Sequence, residues 1–285
     1  MNIKLLLLAA AAVMATTSRA QIKGATDLEM GNYKGKVKKV QEYKDGELRT
    51  TTAFTPEGYI VYKTTHGEYG DSIHNEYLSP GNPLKTTYYN KDGSYRGEYA
   101  FTYDADGKLA SAVKVLEGDT IFTETYTHTA KNTMAFEHNS RTMPSTRHVI
   151  EYHPNGRLKR MITSQEGDVV SQDILVDMDN QPKEITRMGA DMKVHKTTVT
   201  RTKYKITAHT STVNADGTMT PEADTVTILD ENGNPTSIKT NGTGARTNRE
   251  ETFEYKYDEH GNWTVREHND SRWGKDRCER VVTYY

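Results

Sequence analysis

Cysteine is nearly missing from this chain: Cys278 is the only one in 285 residues. No intramolecular disulfide can form. Cys278 lies in a charged, strand-like stretch (DRCERVV) without a local motif, so it reads as a strand residue and not as a nucleophile. An excess of charge of either sign is also missing, with 37 Lys and Arg against 39 Asp and Glu. That balance excludes the basic stripe on which nucleic-acid binding depends. Beyond the first fourteen residues there is no long apolar run, and none of the spacings of helical amphipathicity.

Recognisable chemistry is absent too. The ten histidines show no H-x-H, H-E-x-x-H or paired-cysteine spacing, so no metal signature is present. There is no G-x-S-x-G, no phosphate loop, and no nucleophile beside an identifiable base. Acid pairs of the kind that cleave glycosides would arise by chance among 39 acidic residues and carry no weight. The expectation is a protein with no catalytic residues, no cofactor and no metal.

What is present begins with an export signal. Lys4 precedes the apolar stretch Leu5 to Met14, and Ser18-Arg19-Ala20 puts small residues at both positions that a signal peptidase reads before Gln21. An apolar helix of about ten residues rises only about 15 Å, half of a hydrocarbon core. Residues 1–20 are therefore expected to be a signal peptide, 21–35 a flexible leader, and 36–285 a single β domain. Within the leader, only Ala25 to Asn32 could form a helical turn or two. The expected location is the periplasm, the cell surface or the medium, with no transmembrane span.

Aliphatic residues are sparse, while Thr, Tyr and charged residues abound, a composition suited to thin, half-buried sheet. A repeat then emerges: an aromatic or large apolar residue, three polar positions, Gly, one polar position, and an apolar residue or Pro. It reads FTPEGYI from Phe54, YNKDGSY from Tyr89, YDADGKL from Tyr103, YHPNGRL from Tyr152 and YDEHGNW from Tyr257. YLSPGNP from Tyr77 and LDENGNP from Leu229 carry Pro in the last slot, and VDMDNQP from Val176 puts Asn180 in the Gly place. Asn best replaces Gly where φ must be positive.

Turn centres fall into two interleaved series, each stepping by about two dozen residues. One runs through Gly58, Gly81, Gly107, Asn132, Gly156, Asn180, Gly233 and Gly261, with a turn missing from view near Tyr204. The other runs through Gly46, Tyr69, Gly93, Gly118, Thr142, Gly167, Gly189, Gly217, Gly244 and Gly274. Alternating turns at opposite ends of a sheet define an all-β, up-and-down antiparallel meander of roughly twenty strands. Phe253, Tyr255 and Tyr257 are expected on one face, as are Leu109, Val113 and Val115. The meander must curl, as an open spiral, a sandwich or a barrel, because its apolar face has to be buried. In an additive array, removal of one period such as Gly156 to Asp179 is expected to be tolerated.

Phe101-Thr-Tyr-Asp-Ala-Asp-Gly-Lys-Leu109 and Phe253-Glu-Tyr-Lys-Tyr-Asp-Glu-His-Gly-Asn-Trp263 resemble the YD repeats of the Rhs family. The Y-Y-x-N-G-x-L character is similar, more loosely, to MORN-like repeat proteins. The DEHGNW ending resembles secreted repeat proteins of Bacteroidota. The resemblance covers most of the chain except about Lys193 to Ala215 and implies a curled, wound sheet of hairpins. In Rhs proteins such arrays form a shell around a C-terminal toxin, for which this chain has no counterpart.

A few residues invite specific readings. His128, His138 and His148 are spaced by ten and could stack across strands; the solvated-strand reading is preferred over a metal cluster. Asp92, Asp106 and Asp258 sit beside turn glycines and are explained by turn chemistry rather than by Ca²⁺. Trp263 occupies the repeat's apolar slot and is expected in the core, with Trp273 as a possible sugar platform. Ser72, Thr120 and Thr225 lie in Asp-Ser/Thr-apolar triplets resembling an O-glycosylation sequon. The function expected is an exported, non-enzymatic binding or interaction module with a glycan or protein partner at the envelope. The alternatives are a scaffold element pairing through the end strand Arg280 to Tyr285 and a carbohydrate-active hydrolase. The signal assignment predicts that the exported form begins at Gln21, and an intact mass that includes residues 1–20 would overturn it.

Overall fold

The structure, a computed structural model, describes residues 26–285 apart from 69, 131, 166–168, 178–180, 190–191 and 244–247. The signal segment, Asn180 and the expected turn centres at Tyr69, Gly167 and Gly244 lie outside the described residues. After one helical turn, α1 (Asp27–Met30), come twenty strands. The first ten are β1 (Val37–Lys44), β2 (Glu47–Phe54), β3 (Ile60–Thr65), β4 (Asp71–Ser79), β5 (Asn82–Asn90), β6 (Tyr95–Tyr103), β7 (Leu109–Leu116), β8 (Asp119–Ala130), β9 (Thr133–Ser140) and β10 (Thr146–Tyr152). The second ten are β11 (Leu158–Gln165), β12 (Val169–Val176), β13 (Pro182–Met188), β14 (Val194–Thr202), β15 (Lys205–Val213), β16 (Met219–Leu229), β17 (Pro235–Gly242), β18 (Arg249–Tyr257), β19 (Trp263–Asp270) and β20 (Gly274–Tyr284).

Each strand pairs antiparallel with its sequence neighbours, and β1 pairs with β20, from Val37↔Tyr284 to Lys44↔Cys278. The meander is thus a closed barrel. The missing turn is where the spacing put it, between Thr202 and Lys205. Closure also corrects two expectations. The C-terminal strand is no free edge, because β20 is bonded on both sides. Removing one period cannot be a local event either, since strand number sets the circumference of a barrel.

The repeat motif is a three-residue hairpin turn followed by one extra residue. In the turn of β6 and β7, Asp104 N–H donates to Lys108 O (2.8 Å) and Gly107 N–H to Asp104 O (3.0 Å), with Gly107 at φ 74°. The Asp104 carboxylate accepts from Asp106 N–H (3.0 Å) and Lys108 N–H (2.8 Å), which fixes the turn. Asp230 and Asp258 do the same in their turns. The turn read as centred on Gly189 instead puts Met192 in the left-handed position (φ 60°), with Gly189 three residues earlier where Asp104 stands in its turn.

Past the Asp104 turn the register slips by one: Thr102 pairs with Ser111, yet Tyr103 pairs with Leu109. The same slip recurs at Phe54↔Ile60, Tyr152↔Leu158, Val176↔Pro182, Leu229↔Pro235 and Tyr257↔Trp263. A bulge of this kind reverses the phase of the side chains. It corrects the face assigned to Leu109, which joins buried Ala112 and not Val113 and Val115.

Following the pairings around the barrel, one face is continuously buried: Phe101, Ala112, Tyr126, Phe136, Ile150, Met161, Ile174, Ile185 and Ile238 all lie on it. A closed single layer can bury a face only inside itself, so these side chains point inward. The outer face carries cross-strand ion pairs, among them Arg160 to Asp173 through two bonds (3.0 and 2.7 Å) and Lys196 to Glu184 (2.9 Å).

The segment expected as a flexible leader is, from Thr26 onward, fastened to the barrel. Thr26 and Glu29 form a reciprocal capping box for α1 (2.6 and 3.2 Å). Leu28 N–H donates to Gly58 O (3.1 Å) and its side chain packs with Val37, Val40 and Phe54. Asn32 then bonds Asn232 O (3.1 Å), and Lys34 N–H donates to Asn262 Oδ1 (2.7 Å). The leader therefore runs across the turns of one end, hereafter the leader end, and enters β1.

At the seam, Arg280 of β20 donates to Glu42 of β1 (2.8 and 2.7 Å) and lies 3.5 Å from the centroid of the Trp263 ring and 4.9 Å from that of Tyr33. Replacing Arg280 with Met should lower stability by about 2 kcal/mol, because Glu42 loses its partner and two rings lose a cation. Adding Glu42→Gln should recover part of that loss. Urea denaturation of the three variants measures it, and an unchanged midpoint for Arg280→Met would show that backbone pairing alone holds the seam.

Candidate functional site

The bulges load the leader end with apolar side chains, since each brings an aromatic or aliphatic pair inward beside a turn. Leu109, Leu158, Val176, Phe54 and Trp263 are buried there. Toward the far end the inner face changes character. Glu124, His138, His148, His195, Glu222, Glu251, His268, Asp270 and Asp276 all lie in the far halves of their strands. Two of the resulting clusters are built from buried acids.

The first centres on Glu124 of β8, 1% exposed. Its Oε2 accepts from the hydroxyls of Tyr99 (2.6 Å) and Tyr126 (2.5 Å), and its Oε1 lies 3.0 Å from His138 Nδ1. Burial pushes both tyrosine hydroxyls far above their usual range, aided by Glu124 at Tyr99 and by Tyr99 and then Glu124 at Tyr126, so both stay protonated donors. His138 is braced by the Phe122 ring (4.5 Å). Both oxygens of this carboxylate are thus engaged within the core network.

Next to it, His148 of β10 stacks on Phe136, with centroids 4.4 Å apart and planes 8° apart. Its Nε2 and Nδ1 lie 2.9 Å from Thr146 Oγ1 and 3.0 Å from Thr163 Oγ1. Two hydroxyls satisfy a neutral imidazole, since one can accept while the other donates. Burial lowers the His148 pKa to about 4, against the partial opposition of Glu124.

The second acidic cluster joins three strands. Glu251 of β18 and Asp270 of β19 are both buried and both held by Arg249, which contacts Glu251 Oε2 at 3.3 Å and Asp270 Oδ2 more closely. His268 lies between two carboxylates, its Nε2 3.0 Å from Glu251 Oε2 and its Nδ1 3.2 Å from Asp276 Oδ2. Burial tends to raise the Asp270 and Asp276 carboxyls. The bonds from Arg249 to the first and from His268 to the second outweigh it and hold both below the usual range.

The three histidines spaced by ten do not assemble. His128 Nε2 lies 2.9 Å from Leu109 O, while His138 and His148 serve the separate networks above. Of the turn aspartates, Asp258 is fully engaged, its second oxygen accepting from Tyr284 OH (2.5 Å). Asp92 accepts from Ser94 N–H (2.9 Å), and Asp106 only donates its N–H to Asp104. Thr120 is exposed and Ser72 half-buried, but Thr225 is enclosed and paired with Thr240 (3.0 Å). Trp263 is core, Trp273 stands free at a turn, and Cys278 sits 3.2 Å from an Arg266 nitrogen.

Sequence reasoning missed Glu124 and Glu251. Each precedes a buried aromatic by two positions, Tyr126 and Phe253. In a strand that spacing alone places an acid on the inward face.

No family model matches this sequence, and no curated protein matches it. Among solved structures it is similar to a porin-like protein of Bacteroides uniformis at 8% identity and TM-score 0.38, over 92% of this chain and 100% of that one. A porin-like protein of Bacteroides vulgatus is similar at 11% identity and TM-score 0.31, over 87% and 98%. TcdB2-TccC3 is similar at 10% identity and TM-score 0.27, over 83% of this chain and 17% of that one. What the structure defines is the class: a closed, twenty-stranded, up-and-down β-barrel of hairpin repeats.

His148 generates a pH prediction. Because its pKa falls from 6.5 unfolded to about 4 folded, the unfolded chain binds the extra proton between those values. Stability from this site is complete above pH 6.5 and is lost as pH falls toward 4, by up to about 3 kcal/mol. Melting temperatures across that window should fall more steeply for the natural protein than for His148→Gln. Parallel curves would show that His148 is not desolvated.

Proposed function

We propose that this chain is an exported, non-enzymatic barrel that works as a binding module at the cell envelope, and that it engages its partner through the turns of the far end. The observation carrying this reading is where the freest apolar side chains stand. Trp273, Met192 and Met143 are 82%, 75% and 65% exposed, more than any other large hydrophobic residue described. All three belong to far-end turns. The leader end, by contrast, is crossed by the chain's own segment from Thr26 to Gly35.

Exposed Trp and Met on short turns offer contact area with little ordering cost, because the closed barrel beneath holds the turns in place. The buried acids do not compete with this reading as an active site. Glu124 is engaged by two tyrosine hydroxyls and His138, and Glu251 and Asp270 are both ion-paired with Arg249. Pairing through an exposed strand edge has no support, since every strand has two partners. The partner class favoured is a glycan or a protein of the envelope, with Trp273 as the flat surface a sugar ring would use.

The test is retention on glycan arrays and on immobilised envelope proteins, comparing the natural chain with the triple variant Met143→Ser, Met192→Ser, Trp273→Ser. Binding should fall at least tenfold while the melting temperature stays within a degree or two, since surface changes of this kind cost little. Equal retention by both proteins would remove the far-end turns from the interaction.

A further inference from the structure

Of the two buried acidic clusters, only one has the donor set of a metal site. Around Glu124 two hydroxyl protons and an imidazole already point at the carboxylate. Around Glu251, the ligand atoms of Glu251, His268 and Asp270 all lie within 4.8 Å of one another. Ligands about 2.1 Å from a tetrahedral Zn²⁺ are roughly 3.4 Å apart. The 3.0 Å between Glu251 Oε2 and His268 Nε2 is close to that spacing.

His268 is also held as a ligating histidine is held. Its Nδ1 faces Asp276 Oδ2 at 3.2 Å, and its ring lies on Phe253 with centroids 4.5 Å apart and planes 5° apart. A carboxylate on the remote nitrogen fixes ring orientation and directs the other nitrogen to a metal. Both nitrogens of this ring face a carboxylate oxygen. That arrangement is satisfied by a proton on each, or by a proton on Nδ1 and a metal ion on Nε2.

We propose that Glu251, His268 and Asp270 form a binding site for a divalent transition ion of the zinc class, and that Arg249 occupies the ion's place when it is absent. The guanidinium binds the same two carboxylates that the metal would need. Its side chain is 13% exposed, against 3% and 1% for those of Glu251 and Asp270. Swinging Arg249 outward exposes three inward-facing ligand atoms and leaves a fourth position open. One imidazole with two carboxylates suits Zn²⁺ or Mn²⁺ more than Ca²⁺, which takes six to eight oxygens. The competition between guanidinium and metal makes binding weaker than the ligand set alone would give.

The experiment is calorimetric titration of the full mature chain, stripped with chelator, using Zn²⁺ and then Ca²⁺. Saturable binding of one Zn²⁺ and no Ca²⁺ is expected. His268→Gln and Asp270→Asn should each weaken it at least tenfold, and Asp276→Asn, which keeps all three ligands, by roughly tenfold. Arg249→Gln should bind at least tenfold more tightly, an outcome that a purely structural ion-pair network does not produce. Circular dichroism checks that each variant is folded. If a variant is not, the visible spectrum of Co²⁺ added to the natural protein reports whether a compact nitrogen- and oxygen-ligated site exists. Absence of a saturable site in the natural chain, or one that persists undiminished in folded His268→Gln, overturns the proposal.

Discussion

One unpaired residue after the turns at Gly58, Gly107, Gly156, Gly233 and Gly261 does more to shape this molecule than any single contact. In a strand, inward and outward alternate without exception, so a hairpin that closed in perfect register would send the residue two places after the turn glycine outward. The extra residue reverses that phase. It brings Leu109, Leu158 and Trp263 inward, opposite Tyr103, Tyr152 and Tyr257. It accompanies a left-handed residue in the turn, which glycine supplies at Gly107.

From that device follows the division of the barrel into two halves. Apolar pairs accumulate at the leader end, and tyrosine hydroxyls tie several hairpins to the one before. Tyr257 reaches Asp230, Tyr284 reaches Asp258, and Tyr103 reaches Pro83 O at 2.6 Å. Toward the far end, where bulges also occur at Glu42/Tyr43, Tyr88/Tyr89, Lys114/Val115, Thr163/Ser164 and Thr210/Ser211, the inward positions carry acids and histidines. A sheet poor in Leu, Ile and Val thus concentrates its apolar material at one end and closes the remainder with hydrogen bonds and ion pairs. Most of those bonds run between strands one or two places apart.

Much of the architecture was legible in the sequence because turns are local. Gly58, Gly81, Gly93, Gly107, Gly156, Gly217, Gly233 and Gly261 all have positive φ, and the regular spacing of the two turn series they belong to gives roughly twenty strands. Closure was not legible, because nothing in the local pattern of Arg280 to Tyr285 says which strand it will meet. The face of Leu109 was misjudged for a physical reason: strict alternation ignores a bulge, and the bulge is the repeat's own signature. The buried acids could have been read from their spacing to Tyr126 and Phe253. Their histidine partners could not, since His138 and His268 come from the next strand and the pairing depends on register.

The seam has a consequence for how the molecule comes into being. Glu42 and Arg280 are 238 residues apart, yet they belong to adjoining strands, while every other strand pair joins neighbours in sequence. Nineteen pairings can therefore form one after another as the chain emerges, each costing a short loop. The twentieth must wait for the last strand. Until then β1 and the newest strand both present bare backbone edges, the condition in which sheets aggregate. Folding of this barrel should accordingly be fast in its many steps and slow in one, with its most hazardous moment just before it is finished.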